Sequence, residues 1–138
     1  MRRAVTIALF LAALPAASPA QEWTQFAYYL ARIGPEDLRS SSGQPIRSLG
    51  GALQQDRANY HRFGIRHAND ESDPVFANRD LRARIPAMVA AGGNDRGRLA
   101  RMAREGRPFD VGVFVCGSGN TPSVIYIAGR GEDHSGCN

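Results

Sequence analysis

The C-terminal part of the chain contains two short runs with the composition of β-strands, and this feature restricts the fold most. Residues 109–116 (FDVGVFVC) and 123–128 (SVIYIA) are rich in β-branched and aromatic side chains. Turn-forming residues, GSGNTP at 117–122, separate the two runs. Together they predict a β-hairpin. Because a two-stranded sheet alone is only marginally stable in water, we expect a third strand to join it.

The third strand is predicted at residues 23–33 (WTQFAYYLARI), which are rich in aromatic and apolar residues and end at Gly34-Pro35. Their composition favours a strand, although the spacing of Ala27, Leu30 and Ala31 would also suit a helix. The segment that follows, 35–45, clusters serine, glycine and proline and is predicted to be a loop.

The longest helix is predicted after this loop. Ser48 is a suitable N-cap, and apolar residues recur at helical spacing up to about Phe63, where Gly64 is a natural stop. Residues 65–77 are polar and predict a second loop.

Two shorter helical segments are predicted before the hairpin. Asn78 can cap the first, which Pro86 kinks or divides. Asn94 or Asp95 can cap the second, which ends at Gly106. The order of a strand, two or three helices and a hairpin predicts a small single α+β domain. We expect the helices to cover one face of a three-stranded antiparallel sheet.

The first twenty residues predict export. Two arginines follow Met1, an uncharged apolar run follows at 4–17, and small residues precede a cleavage point after Ala20. A retained membrane anchor is the alternative, but the run is too short to span a bilayer and Pro15 interrupts it. We therefore expect a mature domain at 21–138 that is periplasmic or secreted and has no transmembrane segment.

The exported chain contains two cysteines, Cys116 and Cys137. Exported compartments are oxidising, so we predict that the two thiols form a disulfide that ties the C-terminal tail to a strand. A metal site that includes His134, beside Asp133, is the alternative, but the spacing of these residues fits no zinc pattern.

The basic residues are unevenly distributed. All 17 are arginines, and residues 79–107 contain eight of them against three acidic residues, a net charge of +5. This stretch could bind an anionic ligand or an acidic protein partner, with Arg98 and Arg101 as candidate ligand-binding residues. It could also be a solvated helix surface. Base-stacking aromatic residues are absent from it, which argues against nucleic acid binding.

Asp56 lies on the apolar stripe of the predicted long helix, three residues after Leu53 and four before Tyr60. A carboxylate that faces a core needs a hydrogen-bond or ionic partner. In one interpretation Asp56 is a catalytic or ligand-binding acid with Asn59 as its polar neighbour. In the other it is a structural acceptor, bonded by the serines at 40–42 or paired with an arginine.

His61 and His67 are the other candidate catalytic residues. Arg57 shares a helix face with His61 and is a candidate ligand-binding residue. Asp56 and His61 are five residues apart and do not share a face, so they are poorly placed to form a catalytic Asp-His dyad. His67 precedes acidic residues at 70, 71 and 73, which could hold a divalent ion. The spacing lacks the alternating ligands of a calcium loop, so a solvated acidic loop fits better, and we predict no metal ion or cofactor.

Familiar catalytic motifs are absent from the sequence, including the nucleophile elbow, the zinc-protease helix and the phosphate-binding loop. Two classes of function stay open. The first is a small exported domain that binds a partner or ligand without catalysis. The second is a small hydrolase that acts on a phosphate-bearing substrate, with the histidines and Asp56 in acid-base or metal chemistry and the arginines holding the anion.

Overall fold

A computed structural model describes residues 22–132 and 136–137, which form a small α+β domain. Its sheet is antiparallel, with strand order β1-β2-β3. The strands are β1 (Trp23–Ile33), β2 (Phe109–Ser118) and β3 (Thr121–Gly129). The predicted fold class, including the third strand supplied by the N-terminal segment, is confirmed. The expected signal peptide lies outside the described residues.

The hairpin is longer than predicted, because Gly117 and Ser118 still belong to β2 and Thr121 already belongs to β3. Only Gly119 and Asn120 remain in the turn. Gly119 has a φ of +57°, a conformation that glycine favours at the first central position of a two-residue hairpin turn. The tight turn extends the strand ladder by several residues that composition alone had assigned to a loop.

Four α-helices lie between β1 and β2. They are α1 (Leu49–Ala58), α2 (Arg79–Ala83), α3 (Ile85–Ala91) and α4 (Arg98–Glu105). As predicted, the Ser48 hydroxyl accepts a hydrogen bond from Gly51 N–H at 3.1 Å, and Asn78 caps α2. The predicted long helix changes character near its end, because residues Asn59–Phe63 form a π-helical turn before Gly64 terminates it.

The prediction that Asn94 or Asp95 caps the last helix is wrong. α4 begins at Arg98, with Gly97 in the cap position. The Asn94 amide instead pairs with β3: it donates to the Ile125 carbonyl at 2.6 Å and accepts from Ile127 N–H at 3.1 Å. The side chain thus satisfies backbone groups on the outer edge of the sheet, which would otherwise be open to pairing with another chain.

The hydrophobic core lies between the sheet and the helices. Alternate residues of β1 and β2 face it, and the apolar sides of α1 and α3 cover them. The buried residues at the centre include Tyr29, Ile33, Val113, Leu53, Ile85 and Val89. No helix among the described residues is long and apolar enough to cross a membrane.

The opposite face of the sheet carries the disulfide. Cys116 on β2 is bonded to Cys137 with a Cα–Cα distance of 5.5 Å, and both cysteines are buried beside Val124. The predicted disulfide is confirmed. The alternative ligand His134 and its neighbour Asp133 lie outside the described residues.

Candidate functional site

Arg57 is the centre of a buried polar network at the C-terminal end of α1. Its side chain is 0% exposed, and its guanidinium lies over the ring of Tyr29 at 4.3 Å and near that of Tyr60 at 4.7 Å. Its Nε donates to Asp56 Oδ2 at 2.7 Å and its Nη1 donates to Asp73 Oδ2 at 3.1 Å. Such burial of an arginine requires paired carboxylates, and both are present.

Asp56 is buried, as its place on the apolar stripe predicted. Its partner is an arginine, Arg57, which agrees with one of the two structural alternatives. The serines at 40–42 bond within their own loop instead, where Ser40 Oγ lies 3.0 Å from Ser42 Oγ. Burial raises the pKa of Asp56 to about 7, although the charge of Arg57 and its hydrogen bond act to lower it.

Asp73 joins His61 to the same network. His61 Nε2 lies 2.7 Å from Asp73 Oδ2, and Asp73 Oδ1 accepts hydrogen bonds from the N–H groups of Val75 and Phe76. Burial by itself raises the pKa of Asp73, but the bonds from His61, Phe76 N–H and Arg57 outweigh burial and lower it below its usual value.

The interpretation of residues 65–77 as a solvated acidic loop is wrong for two of its three acids. The side chains of Asp70 and Asp73 are 1% and 0% exposed. Asp70 Oδ1 accepts from Arg32 N–H at 2.8 Å, and Glu71 pairs with Leu30 of the same strand. The loop therefore covers the outer edge of β1, a role that charge and composition do not reveal.

His67 is the centre of a second group of polar side chains and packs against Gly34. Its Nε2 is 3.0 Å from Glu36 Oε2, while its Nδ1 is 3.6 Å from Asp37 Oδ2 and 3.4 Å from Asp70 Oδ2. Burial by itself lowers the pKa of His67, but these three carboxylates raise it overall. A side chain at Gly34 would collide with the imidazole, because a Cβ there would lie 2.2 Å from His67 Nε2.

Asp37 is the functional candidate that the sequence analysis missed. It is buried, accepts hydrogen bonds from Gly34 N–H and Asn59 Nδ2, both at 2.8 Å, and has a pKa raised by burial. It follows the Gly34-Pro35 break in a loop, so no periodicity indicated that it faces inward. The adjacent Glu36-Asp37 pair was the only available signal.

Asp56 links the group of side chains around Arg57 to the group around His67. Asp37, Asp56 and His67 each offer an oxygen or nitrogen atom within 4.8 Å of those of the other two. The structure thus brings together the candidates of the α1 region and of the following loop. They are Asp56, Arg57, Asn59, His61 and His67.

The candidates on α4 do not join this network. Arg98 Nη2 pairs with Glu132 Oε1 at 2.6 Å, and Arg101 is exposed. Within residues 22–132, no hydrogen bond or ion pair links either arginine to Asp56, His61 or His67.

An open cleft of about 430 Å³ adjoins the network. Asn59 connects the two, because its Nδ2 bonds Asp37 while its Oδ1 accepts from Gln55 Nε2 at 3.0 Å. Phe63 and Ile65 are 45% and 42% exposed at the cleft. The cleft is lined by Glu36, Arg39, Ser40, Ser41, Gly43, Gln55, Asn59, Phe63 and Ile65.

A second cleft of about 400 Å³ shares Ser40 and Gln55 with the first. Its lining includes three arginines, Arg62, Arg79 and Arg82. Arg82 donates to the Phe76 carbonyl at 2.7 Å, a neutral partner, and no carboxylate in the described part of the chain pairs with it. An apolar cleft and a basic cleft are therefore neighbours along one side of α1.

The chain matches no protein-family model, and no curated protein or solved structure is significantly similar to it.

Proposed function

We propose that the protein is a small exported domain that binds, without catalysis, an anionic ligand with an apolar part. The observation that carries this proposal is that the two clefts adjoin each other, with Ser40 and Gln55 lining both. The apolar cleft presents Phe63 and Ile65, and the adjoining basic cleft presents Arg62, Arg79 and Arg82. A volume of several hundred Å³ suits a small molecule or one projecting segment of a larger partner.

A polar group with fixed partners, the Asn59 amide, lines the cleft. The Asn59 amide is held by Asp37 on one side and Gln55 on the other, so its remaining hydrogen-bonding capacity points in a defined direction. Asn59 also begins the π-helical turn that carries Phe63. Such turns occur frequently at functional sites, which supports this end of α1 as the binding region.

A phosphate-directed hydrolase has less support from the same geometry. Asp56 is 1% exposed and its carboxylate is engaged by Arg57, so a bound substrate would not reach it without rearrangement. Arg98, expected to help hold the anion, is paired with Glu132.

Export is part of the proposal and is supported by the N-terminal sequence pattern and by the disulfide. The intact mass of the exported protein should place its first residue within one or two positions of Gln21. A product that retains Met1 would contradict export.

The binding proposal is tested with octanoate as the anionic probe and 1-octanol as its neutral analogue, by calorimetric titration. We expect octanoate to bind more tightly than octanol. Ile65→Ser and Arg79→Gln should each weaken octanoate about tenfold, equivalent to ~1.4 kcal/mol. Arg101→Gln, an exposed arginine of the same basic stretch, is the matched control and should bind like the unaltered protein. Absence of binding, or binding that neither Ile65→Ser nor Arg79→Gln weakens, would refute the proposal.

A further inference from the structure

We propose that Asp37, Asp56 and His67 form a site for one Zn²⁺ ion, with three protein ligands and a fourth coordination position open to a further ligand. The three residues come from separate segments: the turn after β1, helix α1 and the loop after the π-helical turn. Their ligand atoms lie within 4.8 Å of one another, a spacing that an ion with ligand distances near 2.0–2.2 Å can close with small side-chain movements. The site would join three segments that no regular secondary structure connects.

The arrangement around His67 is the one that a metal ligand requires. Its Nε2 pairs with Glu36 Oε2 at 3.0 Å. Histidines that bind metals almost always engage a carboxylate, carbonyl or water with the other ring nitrogen, which leaves one nitrogen for the ion. The remaining nitrogen, Nδ1, is buried and makes no hydrogen bond among the described residues, although Asp70 Oδ2 and Asp37 Oδ2 lie 3.4 and 3.6 Å from it.

The other two ligands are also held in place by neighbouring groups. Asp37 accepts from Gly34 N–H and from Asn59 Nδ2, and Asp56 accepts from Arg57 Nε. These bonds orient the carboxylates, and such outer contacts commonly contribute to metal affinity.

A second observation comes from Tyr29. Its side chain is fully buried, its hydroxyl has no hydrogen-bond partner in the described structure, and it interacts electrostatically with Asp56 and Asp73. Buried polar groups are almost always hydrogen-bonded. Three such atoms, the Tyr29 hydroxyl, Arg57 Nη2 and His67 Nδ1, lie in this polar network, and of the three His67 Nδ1 belongs to the proposed ligand set.

The charges of the network favour a divalent cation. Four carboxylates have side chains that are at most 2% exposed. Arg57 pairs with two of them, Asp56 and Asp73, and the other two, Asp37 and Asp70, lie within 3.6 Å of His67, which as a zinc ligand would be neutral. Uncompensated charge in the interior is costly. A divalent ion together with Arg57 would offset three of the four negative charges.

The ligand atoms of the three residues favour Zn²⁺ over other divalent ions. One imidazole nitrogen with two carboxylate oxygens suits Zn²⁺, which accepts mixed nitrogen and oxygen ligands at low coordination number. Mg²⁺ and Ca²⁺ prefer coordination by oxygen atoms alone, whereas His67 would supply a nitrogen atom. The site differs from the one considered in the sequence, because it uses His67 but none of the acidic residues at 70, 71 and 73.

The test is calorimetric titration of chelator-treated protein with Zn²⁺, with a parallel measurement of bound metal after dialysis. We expect one Zn²⁺ per chain that excess Mg²⁺ does not displace. Asp37→Asn and His67→Gln should abolish this binding. Glu36→Gln, which alters only the residue that positions His67, should weaken it by roughly 10–100-fold.

The chain offers matched controls in its other two histidines. His61→Gln and His134→Gln should each retain the Zn²⁺ ion. Circular dichroism checks that every variant is folded, and Zn²⁺ should raise the Tm of the unaltered protein but not that of His67→Gln. Absence of Zn²⁺ binding would overturn the proposal. So would binding that survives His67→Gln, or that is lost only in His134→Gln. Octanoate binding by metal-free protein is measured separately, so failure of either proposal can be told from failure of the other.

Discussion

Asp56 and Arg57 are adjacent in the chain, and their side chains form an ion pair of 2.7 Å in the protein interior. The pair lies at the end of α1, where the arginine also reaches Asp73 on the following loop. Neighbouring residues on a helix usually diverge by about 100°, so both can be buried only where protein surrounds that end of the helix. The loop at 70–76, the strand β1 and the π-helical turn provide this enclosure.

Removal of Asp56 should therefore destabilise the protein strongly. Asp56→Ala leaves Arg57 buried with one carboxylate fewer, and breaking a buried pair in this way costs about 3–5 kcal/mol. Urea denaturation in chelator-containing buffer, with the slope compared for two-state behaviour, measures the free energy of unfolding. Arg101→Ala on the exposed side of α4 is the control and should change stability little. An Asp56→Ala protein as stable as the unaltered one would contradict a structural role.

Asp73 should make the fold sensitive to acid. Its pKa in the folded protein is lowered from the usual 3.8, so the folded state binds fewer protons than the unfolded state. The stabilisation is fully present above pH 3.8 and is lost as the pH falls through the lower, folded-state pKa. We expect the stability difference between the unaltered protein and Asp73→Asn to shrink with acidification across this range. Denaturation at a series of pH values measures it, and a difference independent of pH would argue against the lowered pKa.

The Cys116–Cys137 disulfide should contribute measurable stability. The cysteines are 21 residues apart, and closure of a loop of this size contributes on the order of 3 kcal/mol in the chain-entropy model. Cys137→Ser should lower the free energy of unfolding by roughly 2–4 kcal/mol. Thiol labelling of the native, unreduced protein should detect no free cysteine. Two labelled thiols in that experiment would exclude the bond.

Asn94 should stabilise the outer edge of β3. Asn94→Ala removes hydrogen bonds to the Val89 and Ile125 carbonyls and from Ile127 N–H, with an expected loss of about 1–3 kcal/mol. Asp95→Ala is the matched control, because the neighbouring side chain is exposed and should change stability by less than ~0.5 kcal/mol. Equal stability of the two variants would refute the bridging role of Asn94.

Elements with strong local signals could be predicted from the sequence. The β-branched and aromatic runs at 109–116 and 123–128 determined the hairpin, and Ser48, Asn78 and Gly64 marked helix boundaries that the structure reproduces. The burial of Asp56 followed from its spacing to Leu53 and Tyr60. In each case the signal lies within a few residues of the feature, because helical periodicity, capping and strand composition are local properties.

The polar network could be identified only from the tertiary structure. Asp37, Asp70 and Asp73 lie in segments without periodicity, where charge and composition predict exposure, yet all three side chains are buried. Asn94 has the features of a helix cap but bonds to a strand 31 residues away. Which carboxylate faces Arg57 or His67 depends on how the loops close over the edge of β1. That closure is decided by contacts between distant segments, which a local sequence pattern does not record.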